Sequence, residues 1–256
     1  STEGGRMKVA CGLIYMCSQY FTILNRFGSL LKAVLQLIMK FLIEGDFELQ
    51  AVSIYALKTI TQRCKMMVAF PQDNESESFL NLLLDNSAQI FNSMESDNIV
   101  ELFRVFAMII RVHNDEETRL NFLQQLMSGV DKMWEETIMS SSFDPFDIQQ
   151  LHVIDLTLMC HSSILLSLST TYATILKDYL PQFMTVMQIL TQAMPQAESE
   201  EILDAIKSSK SQILNILFRF TYFSVKQEIV LEMIIPTCFQ PILDDYVNCE
   251  PQYRIR

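Results

Sequence analysis

Histidine and cysteine are the side chains in this sequence best suited to metal binding or nucleophilic catalysis, and there are three and six of them. His152 and His161 share one predicted helix but lie nine residues apart, which places them on opposite faces. A joint metal site is therefore not expected. Cys160 and His161 are adjacent, so their side chains diverge by about 100° on a helix and cannot act as a nucleophile–base pair. The third histidine, His113, has no such neighbour.

Carboxylate pairs and sequence motifs give no stronger sign of catalysis. Asp244-Asp245 and Glu200-Glu201 are typical of solvated helix ends. The sequence has no G-x-G-x-x-G, P-loop, H-E-x-x-H or G-x-S-x-G motif. We therefore predict a protein that is not an enzyme, with no catalytic residues, no metal and no cofactor. A helical hydrolase is a remaining alternative, and it would need a site that the sequence does not reveal.

Charge and cysteine usage limit the partners and the compartment. The formal net charge of −11 argues against binding to nucleic acid or to an anionic membrane, because both depend on clustered Lys and Arg. The cysteines contain no C-x-x-C pair and fall in apolar helical patterns, which indicates a reducing compartment without disulfides. The start of the chain has no initiator methionine and no signal-peptide pattern, so we expect a piece of a longer protein.

The elements that position these side chains are predicted to be helices throughout. Half of the residues are apolar, whereas there are only 6 Gly and 7 Pro, and the apolar residues recur with helical period. The pattern predicts helices near 7–20, 22–43, 47–68, 77–94, 97–113, 116–138, 145–166, 168–193, 201–223 and 226–247. Polar segments between them supply Asp, Asn or Ser as N-caps.

The helices repeat in pairs. Second helices begin near Glu48, Asn98, Asp147 and Asp204, a period of roughly 50 residues, close to the 40–47 of HEAT repeats. We therefore predict an all-α fold, a HEAT-repeat α-solenoid of antiparallel helix pairs stacked in a right-handed superhelix. The predicted single segment covers 1–256, with pairs at 22–68, 77–113, 116–166 and 168–223 and half-pairs at 7–20 and 226–247.

The apolar stretch at 35–64 fits a membrane hairpin, an enzyme core or one unit of a helical array. It is interrupted by Glu44-Gly45-Asp46. Two other stretches, 156–176 and 179–197, contain no charge, but they carry many Ser, Thr and Gln side chains, and we interpret them as too polar to span a membrane. We therefore expect no membrane span. The helical array explains 35–64 best, because neighbouring pairs cover its apolar faces.

A family resemblance is carried most specifically by residues 41–64. The matching positions are Phe41, Glu44, Gln50, Lys58 and Gln62-Arg63-Cys64. This pattern resembles the central repeats of the exportin 1 family, nuclear export receptors of the importin-β/karyopherin superfamily that bind leucine-rich signals. Supporting matches lie at Tyr15, Gln19-Tyr20, "SDNIVELFRVFAMII", "LNFLQQLMSGVDKMWEETI", Pro236 and "LDDY". The resemblance is collinear over nearly the whole chain.

The resemblance implies a cargo-binding groove on the outer surface, between the outer helices of the eleventh and twelfth repeats. The outer helix of the twelfth repeat corresponds to residues 22–43, and that of the eleventh would precede Ser1, so half of the implied groove lies outside this chain. Carried over by position, the residues that bind the cargo peptide are Ala10, Ile14, Leu30, Val34, Leu37, Phe41 and Val52, with Lys40 and Glu44 at the groove rim. Ala10, Val34 and Phe41 keep the family's residue. Leu37 and Lys40 stand where the family has a lysine and a glutamate.

The resemblance also implies a function by binding, without a catalysed reaction. The implied partners are cargo proteins with leucine-rich export signals, Ran-GTP in the full-length protein, and nucleoporins. The resemblance implies shuttling between nucleus and cytoplasm, with no nucleic acid and no membrane. Independently, Leu30, Val34, Leu37 and Phe41 form one stripe at helical spacing, as in a groove that accepts an amphipathic helix. The stripe could equally pack on a neighbouring repeat. A HEAT-repeat scaffold of another class, such as another karyopherin or a phosphatase- or kinase-type scaffold, is the alternative function.

Overall fold

The computed structural model describes residues 2–72, 75–138, 143–224 and 227–249, and this part of the chain is helical without any strand. The helices are α1 (Thr2–Gln19), α2 (Phe21–Leu24), α3 (Gly28–Glu44), α4 (Phe47–Ala69), α5 (Phe79–Asp85), α6 (Ser87–Asn92), α7 (Ser96–Ile110), α8 (Glu116–Ile138), α9 (Ile148–Ala193), α10 (Glu200–Phe223) and α11 (Gln227–Asn248), with a 3-10 turn at Met194–Gln196. The predicted all-α class is confirmed. The chain divides into two compact units, Ser1–Leu126 and Met127–Arg256.

In the first unit α4 is the central helix. It packs against α3, with which it forms an antiparallel pair, and against α1 and α7 on either side. Ala56, Leu57 and Ile60 of α4 are fully buried, whereas Tyr55 on the same turns is 49% exposed, so α4 buries one broad face and keeps a narrow one in solvent. The short helices α5 and α6 precede α7, and α5 packs on it.

A buried glutamine connects this central helix to its neighbours. The Gln50 side-chain amide donates to the carbonyl oxygen of Leu42 at 3.2 Å. It also donates to the carbonyl oxygen of Ser93 at 3.1 Å and to the Ser93 hydroxyl at 3.2 Å. Leu42 belongs to α3, whereas Ser93 follows α6, so one side chain serves acceptors from two successive helix pairs. Because Gln50 is buried, breaking these bonds would leave its amide and the acceptors without water molecules to replace them, which is costly in free energy.

The Glu44-Gly45-Asp46 segment is the turn between α3 and α4. Asp46 is the N-cap of α4, and its Oδ1 accepts a hydrogen bond from the Leu49 amide at 3.0 Å. Gly45 donates its amide to the Phe41 carbonyl oxygen at 3.0 Å. A Cβ at position 45 would collide with that same oxygen. The turn therefore requires glycine because of a close backbone approach, although its φ of −77° is accessible to any residue.

Gly45→Ala is expected to lower the free energy of unfolding by about 1–3 kcal/mol, because the added methyl group forces the backbone of the turn to shift. Urea unfolding followed by circular dichroism measures the change. Gly12→Ala is the matched control, since a Cβ at that exposed position of α1 meets nothing within 4 Å. The control should be neutral or stabilising by up to about 1 kcal/mol. Equal changes in the free energy of unfolding for the two variants would contradict the crowding at Gly45.

Two helices that the sequence pattern predicts as continuous are divided into separate helices, and α4 has a kink at Cys64 (φ −117°, ψ 29°). The predicted helix 22–43 is broken after Leu24, because Phe27 has an extended backbone (φ −124°, ψ 88°) and α3 begins at Gly28. The predicted helix 77–94 is divided at Asn86, whose backbone (φ −98°, ψ 4°) departs from helical values. Asparagine and glycine both favour such interruptions, since Asn hydrogen-bonds local backbone and Gly is conformationally free.

In the second unit α9 folds back on itself. Leu168 has non-helical dihedral angles (φ −130°, ψ 26°). The rings of His161 and Phe183 would be about 33 Å apart along a straight helix. Their centroids are 5.4 Å apart. The element is therefore a helical hairpin whose arms are 148–167 and 169–193, and its turn lies beside the predicted boundary between 166 and 168.

A tryptophan connects α8 to the second arm of this hairpin. Trp134 is fully buried, and its Nε1 donates to Gln182 Oε1 at 2.8 Å. Its ring meets Phe183 edge to face at a centroid distance of 5.2 Å. The Tyr179 hydroxyl donates to Asp131 Oδ1 at 2.6 Å, which adds a second bond between the same two elements.

A buried ion pair joins α9, α10 and α11. The Lys210 side chain is 1% exposed, and its Nζ donates to Asp245 Oδ1 at 2.7 Å. The Thr191 hydroxyl donates to the same carboxylate oxygen. These groups come from α10, α11 and α9 respectively, so a single carboxylate holds three helices together.

Within the described ranges, one helical stretch, Ile148–Gln196, is long and apolar enough to cross a membrane by length and composition. The expectation that this region is too polar for a span is wrong on those two criteria. Of its most apolar window, 61% is buried inside the protein. Such burial is also typical of the core helix of a soluble protein, so this is weak support for a membrane span.

Candidate functional site

An apolar depression lies between α1 and α3. Its walls are formed by Val9, Ala10 and Leu13 of α1 and by Leu37 and Phe41 of α3, and its volume is about 540 Å³. Gly5 and Arg6 complete the lining at one end. Because the two helices present only apolar side chains to most of this space, the depression is suited to apolar groups rather than to a polar substrate.

The structure brings together three of the seven residues that the sequence predicts for the peptide site. Ala10, Leu37 and Phe41 line the depression. Ile14 (0% exposed) and Val34 (5% exposed) are instead buried in the core. Leu30 of α3 is 45% exposed, and Val52 of α4 is half-buried, and both lie outside the residues that line the depression.

The helix α3 positions its site residues through its buried face. Leu31, Val34, Leu35, Ile38 and Leu42 are buried, and they anchor α3 in the core of the first unit. Leu37 and Phe41 are four residues apart and lie at the edge of this buried face, so both are half-buried and remain accessible from the depression.

The two residues predicted for the groove rim, Lys40 and Glu44, are exposed and lie outside the residues that line the depression. Lys40 and Glu44 form an i,i+4 ion pair with an N–O distance of 3.8 Å, and their side chains are 62% and 65% exposed. Such a pair contributes little to stability, so either charge is available to a ligand. Arg6 adds a second cation at the margin of the depression.

Four lining residues were missed by the sequence analysis: Gly5, Arg6, Val9 and Leu13. Val9 and Leu13 are spaced i, i+4 on α1 and are exposed, although both are large and apolar. That spacing next to Ala10 was a usable signal. Whether Val9 and Leu13 are exposed depends on which other elements pack on α1. The sequence pattern of α1 alone does not show this.

Cys160 and His161, which were first considered for catalysis, are both buried in the core. His161 is fully buried, its Nδ1 is hydrogen-bonded to the Tyr172 hydroxyl, and burial lowers its pKa to about 3. Burial also raises the pKa of the Cys160 thiol well above its ordinary value. A neutral imidazole beside a protonated thiol does not provide a nucleophile. His152 is exposed, on a different face of the same arm.

The remaining histidine lies in an aromatic environment. His113 packs between Phe70 and Phe122, with centroid distances of 4.6 and 5.0 Å, and burial lowers its pKa. Among the described residues, no group of three His, Cys, Asp or Glu side chains could hold a metal ion. The six cysteines lie within the described ranges, and none of them forms a disulfide.

Comparison with known proteins identifies relatives along nearly the whole chain. No family model matches. The chain is 23% identical over 257 residues to Protein EXPORTIN 1B and to Protein EXPORTIN 1A of Arabidopsis thaliana. It is 20% identical over 256 residues to Exportin-1 of Dictyostelium discoideum. Each match covers 96% of this chain and 24% of the relative, so the chain spans about a quarter of the length of these relatives.

These similarities agree with the architecture described above. The helices of the described residues match the all-α HEAT-repeat solenoid expected of exportins. Exportin-1 proteins from several organisms match 94–96% of the chain, so the similarity is not limited to one region. The chain is therefore similar to exportin-1 proteins over nearly its whole length, at 19–23% identity.

Proposed function

We propose that this chain is a segment of a nuclear export receptor that binds leucine-rich export signals in the depression between α1 and α3. The observation that carries the proposal is the meeting of Ala10, Leu37 and Phe41 on the walls of one apolar depression. Two of these three, Ala10 and Phe41, keep the residue of the exportin 1 family. The similarity to exportin-1 proteins supports the same function.

The proposed ligand is an amphipathic peptide whose apolar side chains recur at helical spacing. Its anchors enter the space between Val9, Leu13, Leu37 and Phe41, and its polar face remains in water. Ile14, Val34 and Val52 act indirectly, as the support beneath and beside the walls, and Leu30 extends the exposed stripe of α3. Arg6 and Lys40 at the margin favour acidic side chains of the peptide.

In the full-length protein, cargo binding is coupled to Ran-GTP. The coupling is a free energy between two sites, so Ran-GTP raises the affinity for cargo by the same factor by which cargo raises the affinity for Ran-GTP. The chain contributes one HEAT-repeat segment of helix pairs in a right-handed superhelix, and the receptor shuttles between nucleus and cytoplasm. Its action is binding and release, without catalysis.

Phe41→Ala in the full-length protein is expected to weaken binding of a fluorescent leucine-rich peptide by about 2–4 kcal/mol, because Phe41 is a central apolar anchor of the depression. Fluorescence anisotropy with and without Ran-GTP measures both the loss and the coupling. Phe47→Ala is the matched control, since Phe47 is exposed at the start of α4 and lies outside the depression.

The two variants distinguish the peptide site from a general effect of losing a phenyl ring. Peptide affinity should be unchanged in Phe47→Ala. Unchanged affinity in a folded Phe41→Ala protein would eliminate the depression as the peptide site. If Ran-GTP gives no gain in peptide affinity for the unmodified protein, the export function is wrong, and a scaffold of another class is favoured.

A further inference from the structure

A second cleft of about 270 Å³ lies in the first unit, between α3 and α5. Its apolar surface comes from Leu31 and Leu35 of α3, Met67 of α4, and Phe79 and Leu82 of α5. A cavity of about 150 Å³ is enough to accept a benzene ring, so this cleft has room for one large apolar side chain.

The cleft and the depression lie on opposite flanks of α3. At about 100° per residue, the cleft residues Gly28 and Leu35 are rotated by roughly 120° to 180° from Leu37 and Phe41. The buried residues Ile38 and Leu42 lie between the two sets. A ligand in one site therefore does not occlude the other, and the cleft needs its own explanation, independent of the proposed export function.

Hydrogen bonds within the protein hold the walls of the cleft in place. The Gln72 side-chain amide donates to the carbonyl oxygens of Met67 and Phe70, both at 3.0 Å. Ser78 caps α5 by accepting from the Asn81 amide at 3.2 Å. A pre-formed cleft does not have to be ordered when a ligand binds, which favours affinity.

The mouth of the cleft is charged. Lys32 and Glu75 form an ion pair across it, with an N–O distance of 2.7 Å, and the Lys32 hydrogen bond lowers the pKa of the Glu75 carboxyl. Glu77 lies on the same rim. Two carboxylates against one ammonium leave a net negative rim.

We infer that the cleft between α3 and α5 is a docking site for a basic peptide segment, which inserts one apolar side chain between Leu35 and Phe79 and pairs a lysine or arginine with Glu77. The apolar floor supplies the anchor pocket, and the acidic rim selects the charge of the flanking residues. An acidic peptide is disfavoured, because it would meet Glu75 and Glu77.

The test uses two fluorescent peptides, each with one phenylalanine beside one leucine, flanked either by lysines or by glutamates. Anisotropy measures their affinity for the whole chain. Methyl NMR of the protein with labelled methionines reports on Met67, whose methyl group lies at the cleft and whose signal is assigned from Met67→Leu. We expect the lysine peptide to bind at least about tenfold more tightly and to shift the Met67 signal.

Two matched glycine variants fill one site each. A Cβ on Gly28 would lie 3.6 Å from Met67 Cε, so Gly28→Leu fills the cleft without a clash at Cβ. Gly5 lies in the depression with nothing within 4 Å of an added Cβ, so Gly5→Leu fills that site instead. Gly28→Leu and the charge reversal Glu77→Lys should each weaken the lysine peptide by about tenfold or more, whereas Gly5→Leu should not.

Three results would overturn the inference. The first is equal binding of the lysine and glutamate peptides. The second is binding of the lysine peptide without a shift of the Met67 methyl signal. The third is a loss of affinity in Gly5→Leu as large as that in Gly28→Leu. Failure of the export function leaves these measurements unaffected, because they use neither a leucine-rich acidic peptide nor Ran-GTP.

Discussion

Replacing Asp245 by alanine is expected to lower the free energy of unfolding by about 3–5 kcal/mol, because it leaves the Lys210 ammonium buried without its counter-charge. Lys210 is 1% exposed, and its bond to Asp245 is 2.7 Å long. The Thr191 hydroxyl also loses an acceptor, so the contact among α9, α10 and α11 is weakened as a whole. Urea unfolding followed by circular dichroism measures the change.

Two companion variants separate the buried charge from the loss of a carboxylate. Asp244→Ala removes the neighbouring exposed carboxylate, which accepts from Gln240 on its own helix, and it should change stability by less than about 0.5 kcal/mol. The double variant Lys210→Met/Asp245→Ala should recover most of the loss, because buried ion pairs are often replaced by apolar residues without cost. A double variant as unstable as Asp245→Ala would contradict the proposed cause.

Trp134→Ala is expected to cost about 3–5 kcal/mol of unfolding free energy, the usual result of truncating a fully buried large aromatic side chain. The indole packs against Phe183 and Tyr179 and bonds Gln182, so its loss leaves a cavity and an unpaired amide between α8 and the second arm of α9. Circular dichroism is the appropriate probe, since this is the only tryptophan in the sequence and the variant has no indole fluorescence.

The matched control for this prediction is an exposed aromatic residue in the same unit. Phe218 of α10 is 65% exposed, and Phe218→Ala should change stability by less than about 0.5 kcal/mol. Trp134→Phe keeps most of the buried volume and should cost less than the alanine variant. If Trp134→Ala were as mild as Phe218→Ala, the indole would not be part of the core.

Much of the helical architecture could be predicted because its signals are local. Asp46 is an N-cap in sequence and in structure, and the break at Leu168 lies beside the predicted boundary between 166 and 168. The interruption at Phe27 was missed, because the neighbouring Asn25 and Gly28 are weak signals within an apolar run of helical period. The division at Asn86 was missed because one asparagine is a weak signal within a helical period.

The candidate site was predictable only in part, because it is made by two helices at once. Leu37 and Phe41 follow from the period of α3, and they do face the depression. The same period includes Val34, but Val34 is buried. The width of the contact between α3 and α4 decides how much of the stripe is covered. The function itself came from the family resemblance, because apolar walls are common to binding sites and to repeat interfaces.

Gln50 has a consequence for the cooperativity of the first unit. Its amide is satisfied by α3 and by Ser93 at the same time, so separating the segment from α5 to α7 would leave a buried donor short of acceptors. Repeat proteins unfold repeat by repeat when the interfaces between neighbours are weak relative to the repeats themselves. Here the side-chain hydrogen bonds of Gln50 in α4 are shared with the next helix pair. The opening of one pair therefore breaks hydrogen bonds made by its neighbour, and we expect the amide protons of the two pairs to exchange as one folding unit.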